Sequence, residues 1–383
     1  MVERFAGVLT GIVICMGGCA ADSDAPEAIE LDFGAFDQAL SDFVTSQGLP
    51  GATAVVVHRD HGILHLAGYG SVPHDRVSLV ASSSKVLSAG ILVSLADDGL
   101  LDLDVPVSQY LGAWGEHKTD VTTAQLLSNS AGLPGLLDDP LYAPYLCQFS
   151  SSGSLSACAE AIYTANDEAE RSSPDTEFRY GGGQWQLAGG VAEAVSGMRW
   201  AELVDIVYTV PCGLEATGYG NHFMRATLEG GGNVDAAFDY PTFFDGDPAN
   251  LDPTDNPSVE GGAYTTAQDY GRILLMHLRG GECEGKRVLS PSSVDRMQHD
   301  RIGEVYGGVT IDPTMQGYGF GWWVDRDNPG VVTDGGAYGS MPWLDLARGY
   351  GAMIILEGEA TQGALVRLAT KPVLDEILDA AAL

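Results

Sequence analysis

The period of the apolar positions changes along the chain, and each change marks a new kind of element. From Leu31 to Val44, the residues Leu31, Phe33, Phe36, Leu40, Phe43 and Val44 recur near the 3.6-residue repeat, which predicts an amphipathic helix. Gly48-Leu49-Pro50-Gly51 stops it. Two β-rich runs follow, Ala52 to His58 and Ile63 to Gly68, and Arg59-Asp60-His61-Gly62 between them reads as the turn of a hairpin. Val80 to Leu100 predicts a long helix with Val86, Leu87, Ile91, Leu92 and Leu95 in one stripe, closing at Asp97-Asp98-Gly99.

The middle of the chain carries helical periods at Trp185 to Val195, Trp200 to Tyr208, Thr266 to Leu278 and Ser292 to Met297, joined by Gly, Pro and Ser loops. Asp245, Asp247, Asp252 and Asp255 fall in a loop from Phe243 to Pro257, but their spacing does not fit a calcium loop, so the segment reads as solvated. Strand patterns return at Gly319 to Val324, Gly330 to Asp334, Met341 to Leu346 and Ala352 to Leu356, separated by Gly-containing turns. A last amphipathic helix runs from Ala364 to Leu378. This order suits an α/β fold of the α+β kind, an antiparallel sheet built from both ends of the chain and flanked by helices. Its α/β lobe draws on about 31–80 and 290–383, and a mainly helical lobe, about 81–289, is inserted between them.

Composition is that of a globular chain, 45% hydrophobic over 383 residues. Charge narrows the partners: 52 acidic against 19 basic residues give a net charge of −33, and no basic cluster is present to neutralise phosphates, which excludes nucleic acid. The excess of acid is read as solubility.

The first residues read as a leader, not as fold. Arg4, the apolar run Ala6 to Met16, and Gly17-Gly18 before Cys19 form a signal over residues 1–19. Met16-Gly17-Gly18-Cys19 resembles a bacterial lipobox, so lipidation at Cys19 is favoured over a plain signal peptide. Residues 20–30 are a small, acidic tether, and the folded domain is 31–383. The expected location is the periplasm or cell envelope, with the membrane touched only through the lipid anchor. Export also makes disulfides plausible for Cys147, Cys158, Cys212 and Cys283. Four cysteines allow three connectivities; Cys147 with Cys158 and Cys212 with Cys283 are favoured, and a zinc site is disfavoured for lack of Cys-x-x-Cys spacing.

Ser82-Ser83-Ser84-Lys85 at the start of a helix is the strongest chemical signal. Residues three apart share a helix face, so Ser82 and Lys85 can hydrogen-bond, and a base beside a serine makes a nucleophile of it. The helix N-terminus adds N–H groups for an oxyanion. Ser-x-x-Lys alone is common, but this lysine sits among Val80, Val86 and Leu87 in a chain whose other lysines are Lys118, Lys286 and Lys371. A Ser-His-Asp route lacks its Gly-x-Ser-x-Gly elbow, and His58, His61, His65, His74, His117, His222, His277 and His299 read as surface or structural.

From Val77 to Leu111 the sequence resembles the nucleophile region of class C β-lactamases and their esterase and peptidase relatives. LLSNSAGLPG from Leu126, FRYGGGQWQLAGGVAEAVSG from Phe178, GGAYTTAQDYGRIL from Gly261 and TDGGAYGSMPWLD from Thr333 continue the likeness in family order. The resemblance implies the β-lactamase and DD-peptidase fold and an acyl-enzyme at Ser82. It implies Lys85 and Tyr180 as general base and acid, and an oxyanion hole from the N–H groups of Ser82 and Ala337. It calls for no cofactor and no metal.

Two departures bear on substrate. Gly182 stands where the Tyr-x-Asn motif has its asparagine, and Asp334-Gly335-Gly336 stands where a triplet beginning with a cation receives a substrate carboxylate. An acid there repels that carboxylate. Gly182, Asp334, Gly335 and Gly336 are therefore substrate-binding candidates, with Tyr142 and Trp343 as possible aromatic contacts. The leading expectation is a serine hydrolase acting on an ester or amide in a small molecule or peptide. A β-lactamase or D-Ala-D-Ala carboxypeptidase proper, and a non-catalytic binding homologue, are the alternatives.

Overall fold

The computed structural model describes residues 31–136, 142–303 and 315–383. The leader, Cys19 and the tether lie outside the described residues. Helix α1 (Gly34–Ser46) packs on the hairpin of β1 (Gly51–His58) and β2 (Gly62–Gly70), followed by the short β3 (Ser78–Leu79) and helix α2 (Ser84–Asp97). Helices α3 (Thr123–Leu127), α4 (Leu155–Tyr163) and α5 (Gly182–Ser196) belong to the inserted part, with the short strands β4 (Gly218–Tyr219) and β5 (Ala263–Thr265). After the helix Ala267–Leu278 come β6 (Glu282–Cys283), β7 (Lys286–Arg287) and the helix Pro291–Gln298. The chain closes with β8 (Met315–Tyr318), β9 (Trp323–Asp325), β10 (Val331–Thr333), β11 (Ser340–Asp345), β12 (Tyr350–Ile355) and the helix Ala360–Ala380.

The main sheet has seven strands in the order β2-β1-β12-β11-β10-β9-β8, every neighbour antiparallel. Its centre joins the two ends of the chain, since β1 pairs with β12 from Thr53↔Ile355 to His58↔Tyr350. Strand alternation sorts β1 between two cores. Ala52, Ala54 and Val56 pack with α1 and the C-terminal helix, whereas Val55 and Val57 face the layer containing α2 and the helix Ala267–Leu278.

A second, three-stranded sheet, β3-β5-β4, positions the site. Ser78 pairs with Thr265, and the Val80 N–H donates to the Ala263 carbonyl at 3.0 Å, so the chain entering α2 lies against the segment that enters β5. The favoured cysteine pairs are both bonded, Cys147–Cys158 and Cys212–Cys283.

Two elements differ from expectation. The helix predicted from Val80 begins as a 3-10 turn, Ala81–Ser83, before α2. The strand predicted at Gly319 to Val324 is instead the β8–β9 turn plus the start of β9. Gly319 N–H donates to the Trp322 carbonyl, and Gly321, at φ +75°, passes so close to α2 that a Cβ would lie 2.6 Å from the Lys85 carbonyl oxygen. Only glycine permits that approach.

Candidate active site

Within Ala81–Lys85, Ser82 is the one partly exposed residue; Ala81, Ser83, Ser84 and Lys85 are buried. The neighbouring serines are occupied structurally. Ser83 Oγ donates to the Asp334 carbonyl at 2.6 Å, and Ser84 Oγ donates to the Ala81 carbonyl while accepting the Ala263 N–H at 2.9 Å. Ala81 adopts φ +43°, unusual for a residue with a Cβ, and this bend turns Ser82 out of the stretch.

Lys85 Nζ lies 3.2 Å from Ser82 Oγ, 3.1 Å from the Glu260 carbonyl oxygen and 3.3 Å from Glu260 Oε2. It also sits 4.5 Å from the centre of the Tyr180 ring. Burial works against the ammonium, but the Tyr180 oxygen and the Glu260 carboxylate outweigh it and hold the group above the ordinary lysine range. The Tyr180 hydroxyl faces Lys85 and Ser82; burial pushes it up, and the Lys85 charge only partly restrains it. The Tyr180 ring stacks on Trp323 at 5.8 Å between centres.

The β10–β11 connection is stitched to the turn that carries Ser82. Ser340 Oγ donates to the Val80 carbonyl at 2.7 Å and is 2.8 Å from Ser83 Oγ. At Gly336 a Cβ would fall 2.1 Å from the Val80 carbonyl oxygen, and at Gly335 2.7 Å from Met341 Cε. Ala337 packs beside Ala81 and Leu79, and among the described residues its N–H meets no backbone acceptor.

Asp334 is not open to solvent. It is fully buried, and among the described residues neither carboxylate oxygen has a partner in good hydrogen-bond geometry, although the Val86 N–H and Lys85 charge favour its anion. Burial prevails and raises its pKa well above the ordinary aspartate value. The acid is thus interior, within reach of the Lys85 charge but closed to solvent.

Gly182 opens α5, and the space beside it is filled. A Cβ there would lie 2.0 Å from Glu260 Oε1 and 2.2 Å from Gln148 Oε1. Glu260 is the site residue that the sequence reading missed; its signal was an acid immediately ahead of Gly261-Gly262-Ala263.

Trp343 does not reach the site. Alternation along β11 turns it to the opposite face from Ser340, where it is fully buried with α1 and the C-terminal helix and its Nε1 donates to the Tyr350 hydroxyl. Tyr142 packs edge-on against Tyr145, at 4.9 Å, and Tyr145 in turn abuts Gly183, so Tyr142 stands one ring away from the start of α5. Of the histidines, His58, His222 and His277 are interior. Burial pushes His222 and His277 down to about 3, and both are neutral packing residues, His222 bonded to the Tyr338 hydroxyl and His277 edge-on to Trp322.

A family model described as Beta-lactamase matches residues 36–371. The chain is 29% identical over 332 residues to penicillin-binding protein 4 of Amycolatopsis lactamdurans, covering 82% of this chain and 81% of that one. Among solved structures, a putative beta-lactamase from Bacteroides dorei superposes with a TM-score of 0.69 at 23% identity, over 91% of this chain and 99% of its own. The hydrolase EstCE1, described as having promiscuous acyltransferase activity, gives a TM-score of 0.67 at 20% identity, over 88% and 98%.

Proposed function

The chain belongs to the beta-lactamase family, and on that premise we propose that it hydrolyses an ester or amide through an acyl-enzyme on Ser82. Family membership supports a serine hydrolase in general; the particular residues and substrate are our reading. One observation carries it: the Lys85 amine stands 3.2 Å from Ser82 Oγ, and Ser82 alone in its turn reaches solvent. Ser82 Oγ attacks the substrate carbonyl as its proton passes into the Lys85–Tyr180 group, and the Ser82 and Ala337 N–H groups receive the oxyanion. Tyr180, facing both Ser82 and Lys85, hands a proton to the leaving group. Water then attacks the acyl-enzyme by the reverse relay.

The choice of ester or uncharged amide rests on charge. Lys85 is committed to Glu260 and Ser82, and the motif cation is replaced by the buried Asp334, so a substrate carboxylate meets no cation at that position and finds the Glu260 carboxylate near Ser82. The likeness to penicillin-binding protein 4 favours a second reading, in which β-lactams or D-alanyl peptides acylate Ser82. We also propose that the protein is exported and anchored through Cys19, in keeping with the two disulfides.

Hydrolysis of a short-chain nitrophenyl ester and of a chromogenic cephalosporin, with Ser82→Ala as control, tests the reading. Serine-dependent ester cleavage without cephalosporin cleavage is expected. Serine-dependent cleavage of the cephalosporin alone selects the second reading, and a fully active Ser82→Ala rules out both.

A further inference from the structure

Three acceptors stand at the reach of the three N–H bonds of Lys85: Ser82 Oγ, the Glu260 carbonyl and the Glu260 carboxylate, at 3.2, 3.1 and 3.3 Å. That is the coordination of an ammonium, which has three donors and no lone pair. An ammonium cannot accept the proton that Ser82 must lose. Tyr180 and Asp334 are both held in their protonated forms by burial, so neither supplies the base.

Glu260 is the remaining group, and its placement is built. The β3–β5 pairing and the Val80 N–H bond to Ala263 fix the segment entering β5 against the nucleophile turn. Gly182 has no side chain, and the Glu260 carboxylate fills the room that any Cβ there would need. Next to it, Gln148 Oε1 is buried and has no hydrogen-bond partner among the described residues, so this side-chain amide is left to face the Glu260 carboxyl group.

We propose that Glu260 is a positioning residue that acts through Lys85, replacing the asparagine of the Tyr-x-Asn motif, holding the ammonium on Ser82 at rest and taking a proton from it as Ser82 attacks. The proposal rests on the reading of Ser82 as the nucleophile. In the step, a Lys85 N–H bond breaks and an O–H bond forms on Glu260; the Ser82 Oγ–H proton moves to the Lys85 nitrogen as the Oγ–C bond forms. The carbonyl π pair becomes the oxyanion. On collapse, the bond to the leaving group breaks, Tyr180 protonates it and is reprotonated by Lys85, and Glu260 returns its proton to Lys85. The proton of Ser82 has then passed to the leaving alcohol or amine, and the ion pair is restored.

The titratable groups that act on this pair are Tyr180 and Asp334 on Lys85 and Tyr318 on Glu260, with Ser82 and Gln148 as neutral neighbours; Tyr219 and Tyr270 act in turn on Asp334. All of them remain in a Glu260 variant. Removing the carboxylate therefore lets Lys85 lose its proton at a lower pH than in the wild type, because one of the charges that stabilise the ammonium is gone.

The test is the rate at which a fluorophosphonate labels Ser82, followed by peptide mass from about pH 6 to about pH 10. Glu260→Gln should be slower by about 100-fold near neutral pH, and the deficit should shrink as pH rises and Lys85 becomes a base in its own right. Wild-type rates in Glu260→Gln, or a deficit of the same size at every pH, would overturn the proposal, the latter marking a purely structural role. Should Glu260→Gln fail to fold, Glu260→Ala tests the same point; the same pH-dependent deficit is expected, and a wild-type rate at neutral pH contradicts it. A wild type that is not labelled at Ser82 at all fails the nucleophile reading first, whereas labelling with a pH-independent ratio fails only the role of Glu260.

Discussion

Asp334 shows what burial does to a single side chain. A carboxyl group without good hydrogen-bond partners is costly to ionise in an interior, and its proton is retained well above the ordinary aspartate range. A raised folded-state pKa means that the acid is tolerated below its unfolded value, and that stability is lost as pH rises from there toward the folded value. Asp334→Asn keeps the shape and removes the titration. It should raise stability by about 1–3 kcal/mol near pH 8 and by less near pH 4, measured by denaturant unfolding at both values; a loss at pH 8 would show that Asp334 is ionised and needed by Lys85. At the same scale, Lys85→Met should lower kcat/KM for a nitrophenyl ester by about 100- to 10,000-fold. Ser82, Lys85 and Tyr180 were legible as a group because each stands in a short motif of fixed spacing. Glu260 was not, since its contact with Lys85 is made across 175 residues and no local pattern announces it.

Among the elements, the β10–β11 connection and the nucleophile turn depend on each other through Gly336. A methyl group there would meet a backbone oxygen at 2.1 Å, which no side-chain rotation relieves. Gly336→Ala should therefore move Ala337 away from Ser82, lowering kcat for ester cleavage by about 10-fold or more for the loss of an aligned oxyanion donor. A variant with unaltered kcat would place the oxyanion donor elsewhere. The Cys147–Cys158 bond, closing an 11-residue separation, ties the segment bearing Gln148 to α4. Replacing both cysteines by alanine should cost about 2–3 kcal/mol, seen in denaturant unfolding. Helix α1 was legible from period alone, because it buries Phe36, Leu40 and Val44 one turn apart. β1 is buried along its whole length and α2 and α5 over most of theirs, so apolar runs between glycine-bearing turns marked those elements. The failures lie where tertiary contact overrides period. Gly319–Trp322 carries apolar residues at strand-like spacing but is bent into a turn by its approach to the Lys85 backbone, and Trp343 follows the pleat of β11 into the opposite core.

For the whole molecule, a net charge of −33 repels itself, and salt screens that repulsion over about 10 Å at 0.1 M. The melting temperature should accordingly rise by about 2 °C or more between about 0.05 and 1 M sodium chloride, and a fall would mean that ion pairs such as Arg76–Glu357 outweigh the repulsion. The sheet joins both ends of the chain at β1–β12, so the nucleophile turn, the β5 segment and the β10–β11 connection meet only when residues 51 to 355 have folded together. On the proposed reading, this assembly acylates Ser82. The most direct test of that reading is an acid quench of the nitrophenyl-ester reaction followed by the mass of the intact chain and of its peptides. One acyl group per chain, on the peptide carrying Ser82, absent in Ser82→Ala and much reduced in Lys85→Met, is the predicted result; ester turnover that persists in Ser82→Ala, or an acyl group on another residue, would contradict it.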